Sequence, residues 1–218
     1  MDLLELQNVS YQSENKYILK ELSLKIKEGD YISIIGPSGS GKSTLLKLCG
    51  HLLSPTEGEI IFKGKSFLRY NPLILRRTIG YCAQTPYLFG DTVEDNLLFP
   101  YIIRKQKVNL TRVQKLFISF NLDFEFVNKN VQSLSGGEKQ RIALIRTLLF
   151  MPEILLLDEV SSALDVTNTL LVENAIKALN EEGTTVLWVT HNPEQSRKNA
   201  NKLLTIVDGE IKSQEELA

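Results

Sequence analysis

The stretch Gly36-Pro37-Ser38-Gly39-Ser40-Gly41-Lys42-Ser43 has the spacing G-x-x-x-x-G-K-[ST], with Thr44 directly after it. Glycines at these positions let a backbone wrap around a polyphosphate with its N–H groups pointing inward. A helix beginning at Lys42 would add the positive end of its dipole. Lys42 can reach the β- and γ-phosphates, and the Ser43 hydroxyl can bind Mg²⁺. The plain alternative is a glycine-rich turn with a solvated lysine. The apolar run YISIIG (31–36) ahead of the loop and the helical pattern after it weigh against that.

Three further places offer chemistry at the end of an apolar run. ILLLDE (154–159) closes on two carboxylates. Successive strand side chains point in different directions, so Asp158 can hold Mg²⁺ through a water while Glu159 polarises the water that attacks the γ-phosphate. His191 ends TVLWVTH and is a candidate hydrogen-bonding sensor of that phosphate. Gln84 ends TIGYCAQ; a neutral amide can orient a water or bind Mg²⁺ without adding charge. Taken alone, each has a plain alternative: solvated acids at a strand end, or a structural histidine or glutamine.

LSGGEKQ (134–140) is a second glycine-rich helix opening. Ser135, Gly136 and Gly137 offer backbone N–H groups and a hydroxyl to an anion, but no lysine. A single phosphate site per chain would need only one cradle. A two-fold dimer accounts for both, each chain's second site closing over the nucleotide held by its partner's first.

The elements that must position these residues are legible as periodicities. YISIIG, EIIF (59–62), TIGYCA (78–83), EILLLDE (153–159) and TTVLWVTH (184–191) read as strands. The last two are nearly unbroken apolar runs, as in strands buried on both faces of a mostly parallel sheet. KLLTIVDGEIK (202–212) reads as a hairpin with an Asp-Gly turn. Helices are expected from Lys42, after Gly137, and from an N-cap near Asp165. NLTRVQKLFISF (109–120) reads as another, capped by Asn109 or Thr111. From Pro86 to Phe150 helical patterns dominate, as in an insertion between two halves of an α/β core.

A chain of 218 residues suits one α/β domain with such an insertion. The formal net charge of −1 lacks the basic excess of a nucleic-acid binder, so no nucleic-acid partner is expected. Cys49 and Cys82 make no metal or disulfide framework and read as buried thiols in a reducing compartment. MDLLELQNVSYQSENK has no basic region followed by an apolar core, so no signal peptide is expected. No apolar run approaches the ~18–20 residues of a membrane span. The expectation is a cytosolic protein whose membrane role comes through a partner.

In this order GPSGSGKS, Gln84, LSGGEKQ, ILLLDE, SALD (162–165) and His191 resemble, over essentially the whole chain, the ATP-binding subunits of ABC transporters. The resemblance implies an α/β P-loop NTPase fold: a RecA-like core with a mostly parallel sheet and an antiparallel β part, carrying an inserted helical subdomain. The core would occupy about 1–85 and 151–218 and the helical part about 86–150, within a single ATP-binding domain. It implies ATP and Mg²⁺ as cofactors and a head-to-tail homodimer around two ATP. It also implies an ATPase that drives a separate integral membrane permease from the cytoplasmic face of the inner membrane. Adenine in this family usually stacks on an aromatic after the first strand. The usual position falls on Ser13, so Tyr11, two residues earlier on the same strand face, is favoured, with Tyr17 as the other candidate.

Within the family, 81–100, 136–159 and 186–191 are similar to the FetAB type of bacterial system implicated in iron export, which implies a FetB-like permease. The cargo rests on that likeness alone. The competing reading is a soluble non-transport ABC-type ATPase of repair or translation. Such relatives usually carry two cassettes, a long coiled coil or zinc cysteines, none of which the sequence contains. A P-loop kinase would leave LSGGEKQ and SALD unexplained.

Overall fold

The computed structural model describes residues 2–217. The chain divides into two compact units: Met1–Tyr81 with Pro152–Glu159 and Asn180–Ala218, and Cys82–Met151 with Val160–Leu179.

The first unit contains two sheets. One is antiparallel, with strand order β2-β1-β4-β5, built from β1 (Asp2–Ser13), β2 (Lys16–Lys27), β4 (Glu57–Phe62) and β5 (Lys65–Ser66). Strands β1 and β2 join through Glu14 and Asn15, whose φ values of 48° and 62° are both left-handed. That geometry matches the right-handed twist of a two-residue hairpin.

The other sheet has the order β10-β9-β3-β8-β7-β6. Its strands are β3 (Tyr31–Ile35), β6 (Ile79–Cys82), β7 (Ile154–Asp158), β8 (Thr185–Val189), β9 (Lys202–Val207) and β10 (Glu210–Glu216). Strand β3 runs parallel to both β8 and β9, and β7 runs parallel to β8. Every residue of β7 and β8 is buried, as their unbroken apolar runs require. Strand β10 returns antiparallel to β9 through Asp208-Gly209, at φ 50° and 77°.

Helix α1 (Lys42–Cys49) follows β3 and buries Leu45, Leu46 and Leu48 against a core that includes Ile32, Ile34, Leu156 and Leu187. Helix α2 (Pro72–Thr78) has Asn71 as its cap and Pro72 in its first turn, where a missing N–H costs nothing.

The second unit is helical. Helix α3 (Val93–Arg104) opens with a capping box: Thr92 bonds the Asp95 backbone, and the Asp95 carboxylate accepts from the Thr92 backbone. The Thr92 N–H, then the Thr92 hydroxyl and the Asp91 N–H, hold the Asp95 carboxyl below its ordinary pKa. Helix α4 (Leu110–Ser119) is capped by Asn109, whose side chain accepts from the Arg112 N–H at 2.9 Å, so Thr111 is not the cap. Helix α5 (Gly136–Leu148) starts two residues earlier than expected, with Ser135 as its N-cap. Helix α6 (Val166–Glu181) follows Asp165, which accepts from the Asn168 N–H at 2.8 Å as a cap should. Short α7 (Pro193–Lys198), in the first unit, follows an Asn192 cap. Among the described residues no helix is long and apolar enough to cross a membrane.

Three strands stop short of the residues expected to end them. Strand β6 ends at Cys82, β7 at Asp158 and β8 at Val189. Gln84, Glu159 and His191 therefore lie in irregular backbone just past the carboxyl ends of strands, where open α/β sheets place their ligand sites.

Candidate nucleotide site

The loop Gly36–Gly41 links β3 to α1. Two of its glycines are fixed by close approach as well as by dihedral angle. At Gly36 (φ 146°) a Cβ would stand 1.9 Å from the Ile206 carbonyl oxygen. At Gly41 (φ 99°) it would stand 2.5 Å from Leu19 Cδ2 and 2.8 Å from the Ile18 carbonyl oxygen. The loop thus lies tight against β2 and β9.

Lys42 is buried, and its Nζ donates to the carbonyls of Gly36 (2.9 Å) and Pro37 (2.8 Å). Burial lowers its pKa, while the Glu159 and Asp158 carboxylates oppose that shift. The Ser40 hydroxyl is buried with no hydrogen-bond partner among the described residues. A buried polar atom left open in this way costs stability unless something else satisfies it. An oxyanion held in the loop would do so.

Ser43 and Asp158 come together: Ser43 Oγ donates to Asp158 Oδ1 at 2.9 Å. The other carboxylate oxygen accepts from the Tyr81 hydroxyl at 3.0 Å. Tyr81 is not legible from the sequence. It lies on β6, and nothing in TIGYCAQ marks it before the strand order places β6 beside β7. Hydroxyl and carboxylate oxygens are the hard ligands Mg²⁺ prefers, and Mg²⁺ usually keeps several waters of its own. Ser43 and Asp158 fit that ion. When bound, it would neutralise charge on the β- and γ-phosphates.

Glu159 and His191 also meet, with Nε2 2.7 Å from Oε1. Glu159 turns away from Asp158 for a reason other than strand alternation. It lies beyond β7 at φ 51°, its N–H donating to the Val189 carbonyl at 3.0 Å. A carboxylate hydrogen-bonded to an imidazole at a strand edge can accept a proton from water.

Tyr11 is half-buried on β1, opposite Leu19 and packed on the core. Tyr17 is exposed, and its hydroxyl donates to Glu57 Oε1 at 3.1 Å.

In the second unit, Gln84 is exposed in the bend after β6. The Ser135 hydroxyl takes part in a cap as an acceptor, which leaves its own O–H able to donate to an anion. It accepts from the Glu138 N–H at 3.2 Å, and the Glu138 carboxylate accepts from the Ser135 N–H at 2.7 Å. That backbone donor, with smaller help from Lys129 and Arg141, holds Glu138 below the ordinary carboxylate range. The spacing S-x-x-E was the signal for this capping box. Gly136 and Gly137 open the helix, and first-turn N–H groups have no intrahelical acceptor. A Cβ on Gly136 would meet nothing within 4 Å, so no contact among the described residues demands a glycine there. SALD precedes α6, and its Asp165 is occupied as the cap already described.

A mostly parallel sheet with a glycine loop opening a helix, a serine-carboxylate pair in front of it and a glutamate just past the end of the strand that carries the carboxylate define a P-loop ATPase. The family model described as ABC transporter matches residues 19–162, and the chain belongs to that family. It is an ABC ATPase. It is 45% identical over 205 residues to the probable iron export ATP-binding protein FetA of Escherichia coli (strain K12), covering 94% of this chain and 91% of that one. It is 37% identical to the spermidine/putrescine import ATP-binding protein PotA of Spiroplasma citri, over 96% of this chain but only 60% of that protein. Among solved structures it resembles a dimeric, post-hydrolysis state of the ATP-binding cassette MJ0796 bound to ADP and Pi. There the TM-score is 0.90 at 34% identity, with 99% of each chain covered.

Proposed function

We propose that the chain hydrolyses ATP with Mg²⁺ in a head-to-tail homodimer, and that the cycle drives a separate membrane permease. The observation that carries this reading is the Ser43–Asp158 pair set in front of the Gly36–Ser43 loop, with Glu159 and His191 bonded to each other beside it. In this reading the loop from Gly36 to Gly41, with Lys42, Ser43 and Thr44, holds the phosphates, and Lys42 leaves the loop carbonyls for them. Ser43 and Asp158 hold Mg²⁺, with Gln84 contributing to the metal or to the attacking water. Glu159 takes the proton of that water, and His191 orients Glu159 and reports on the γ-phosphate. Tyr11 stacks on adenine.

The second cradle, Ser135 to Gly137, serves the partner chain's nucleotide. Its Ser135 hydroxyl accepts the Glu138 N–H in the cap and keeps its own proton to donate, so it acts together with the Gly136 and Gly137 N–H groups and the helix dipole. The absence of any internal steric need at Gly136 supports close approach by a group from outside the chain. The relative MJ0796, dimeric with ADP and Pi, supports the same arrangement. In this reading the inserted helical subdomain takes up about 86–150.

The likeness to FetA supports iron export through a FetB-like permease, from the cytoplasmic face of the inner membrane. It covers 91% of that relative, against 60% of the polyamine-import relative. The exposed apolar residues Tyr87, Phe99 and Ile102 support permease docking near the Gln84 loop. The test is phosphate release by the purified chain with Mg²⁺ and with chelator, followed by cellular iron in a deletion strain. Turnover without Mg²⁺ contradicts the site; unchanged iron contradicts the cargo alone.

A further inference from the structure

Helix α5 reaches back to the Gln84 loop from both sides. On the near side, Gln140 is 1% exposed, and its Nε2 donates to the Ala83 carbonyl at 3.4 Å. Its Oε1 is buried with no partner among the described residues. A buried carboxamide on a helix otherwise filled by Ile142, Leu144 and Ile145 is costly, since an apolar side chain would pack there without an open acceptor. The one hydrogen bond found for this side chain goes to the residue before Gln84. Thr147, two turns along the same face, has its Oγ1 3.3 Å from Cys82 Sγ.

On the far side, Arg146 Nη1 donates to Asn96 Oδ1 at 2.9 Å. Asn96 is fully buried, and that oxygen also accepts from the Phe89 N–H at 3.1 Å. Its Nδ2 donates to the carbonyls of Phe89 (2.8 Å) and Thr92 (3.1 Å). The Arg146 guanidinium also lies 5.4 Å from the Phe89 ring centroid. Every polar atom of Asn96 is used, and a satisfied buried network of this kind enforces one conformation.

We propose that Gln140 and Arg146 are positioning residues for Gln84, fastening both ends of its loop to the helix that Ser135–Gly137 opens. Gln84 stays exposed between two anchored points, Ala83 and Phe89, so little backbone freedom is left to lose when it meets a ligand. The Ser135–Gly137 turn and the Gln84 loop then form one mechanical element. The proposal rests on the reading of Gln84 as a nucleotide-site residue. Misplacing such a group by ~1 Å can cost ~10²-fold in rate.

The test combines hydrogen exchange on the full chain with steady-state hydrolysis of Mg-ATP. Gln140→Leu keeps the volume and removes the bond. Amides at 83–85 should then exchange about tenfold faster, as for loss of one ordinary hydrogen bond, while those of α5 keep their rates. The kcat should fall with KM for ATP nearly unchanged, and adding Gln84→Ala should lower it no further. Arg146→Met should loosen 89–92 in the same way. If it does not fold, Arg146→Lys, which keeps the charge but loses the planar fork, should show the same loosening to a smaller degree. Wild-type exchange at 83–92 in these variants, or multiplicative losses in the Gln84–Gln140 double variant, would overturn the proposal. Full turnover by Gln84→Ala alone would remove Gln84 from the nucleotide site, and the exchange rates would then decide the tether by themselves.

Discussion

At the scale of single residues, the proposed roles of Glu159 and Lys42 are distinct, and each makes a separable prediction. Glu159→Gln keeps the shape and the link to His191 but cannot take up a proton. Loss of a positioned base costs ~10²–10⁴-fold in rate, so phosphate release should fall by that much while calorimetry still finds ATP binding. Near-normal turnover would take Glu159 out of the catalytic role. Lys42→Ala deletes the cation facing the phosphates and leaves only backbone donors. ATP affinity itself should drop, and an unchanged calorimetric titration would contradict the cradle. Much of this scale was legible, because a glycine loop ending in Lys-Ser and a strand ending in Asp-Glu each carry their chemistry in residue type. Tyr81 was not, because its bond to Asp158 depends on which strand lies beside β7. The left-handed backbone at Glu159 was not legible either, since it comes from how the chain leaves β7.

At the scale of elements, the phosphate loop is pressed between β2 and β9, and its glycines are not equivalent. Gly36→Ala would drive a Cβ to 1.9 Å from the Ile206 carbonyl oxygen, so backbone must move. Gly39→Ala meets nothing within 4 Å and faces only its φ of 77°, a strain of about 1–2 kcal/mol. Thermal melts should therefore show a clearly larger loss for Gly36→Ala, accompanied by weaker ATP binding. Equal melting temperatures for the two would mean that the close approach does not set the loop. The parallel strands β3, β7 and β8 were readable as apolar runs because both their faces are covered. The β1–β2 hairpin was hidden. Its register shifts repeatedly between Leu6 and Gln12, which breaks the two-residue alternation, and its turn is Glu14-Asn15 rather than an Asn-Gly or Asp-Gly pair. The capping box at Ser135 was readable from the S-x-x-E spacing, and it leaves the hydroxyl's own proton available.

At the scale of the whole molecule, neither cradle works alone in the proposed dimer: each active site would take its phosphate loop from one chain and its Ser135–Gly137 turn from another. Ser135→Arg should leave ATP binding intact, since the loop is untouched, and block closure over the partner's nucleotide. Lys42→Ala should do the reverse, spoiling its own loop while its turn stays sound. Each variant alone should be nearly inactive. The decisive measurement is the ATPase activity of the two variants mixed in equal amounts. Random pairing makes about half the dimers mixed, and each mixed dimer contains one complete site of two, so activity should recover to about a quarter of wild type. Activity no higher than the average of the separate variants, at concentrations where the wild type dimerises, would contradict the shared site.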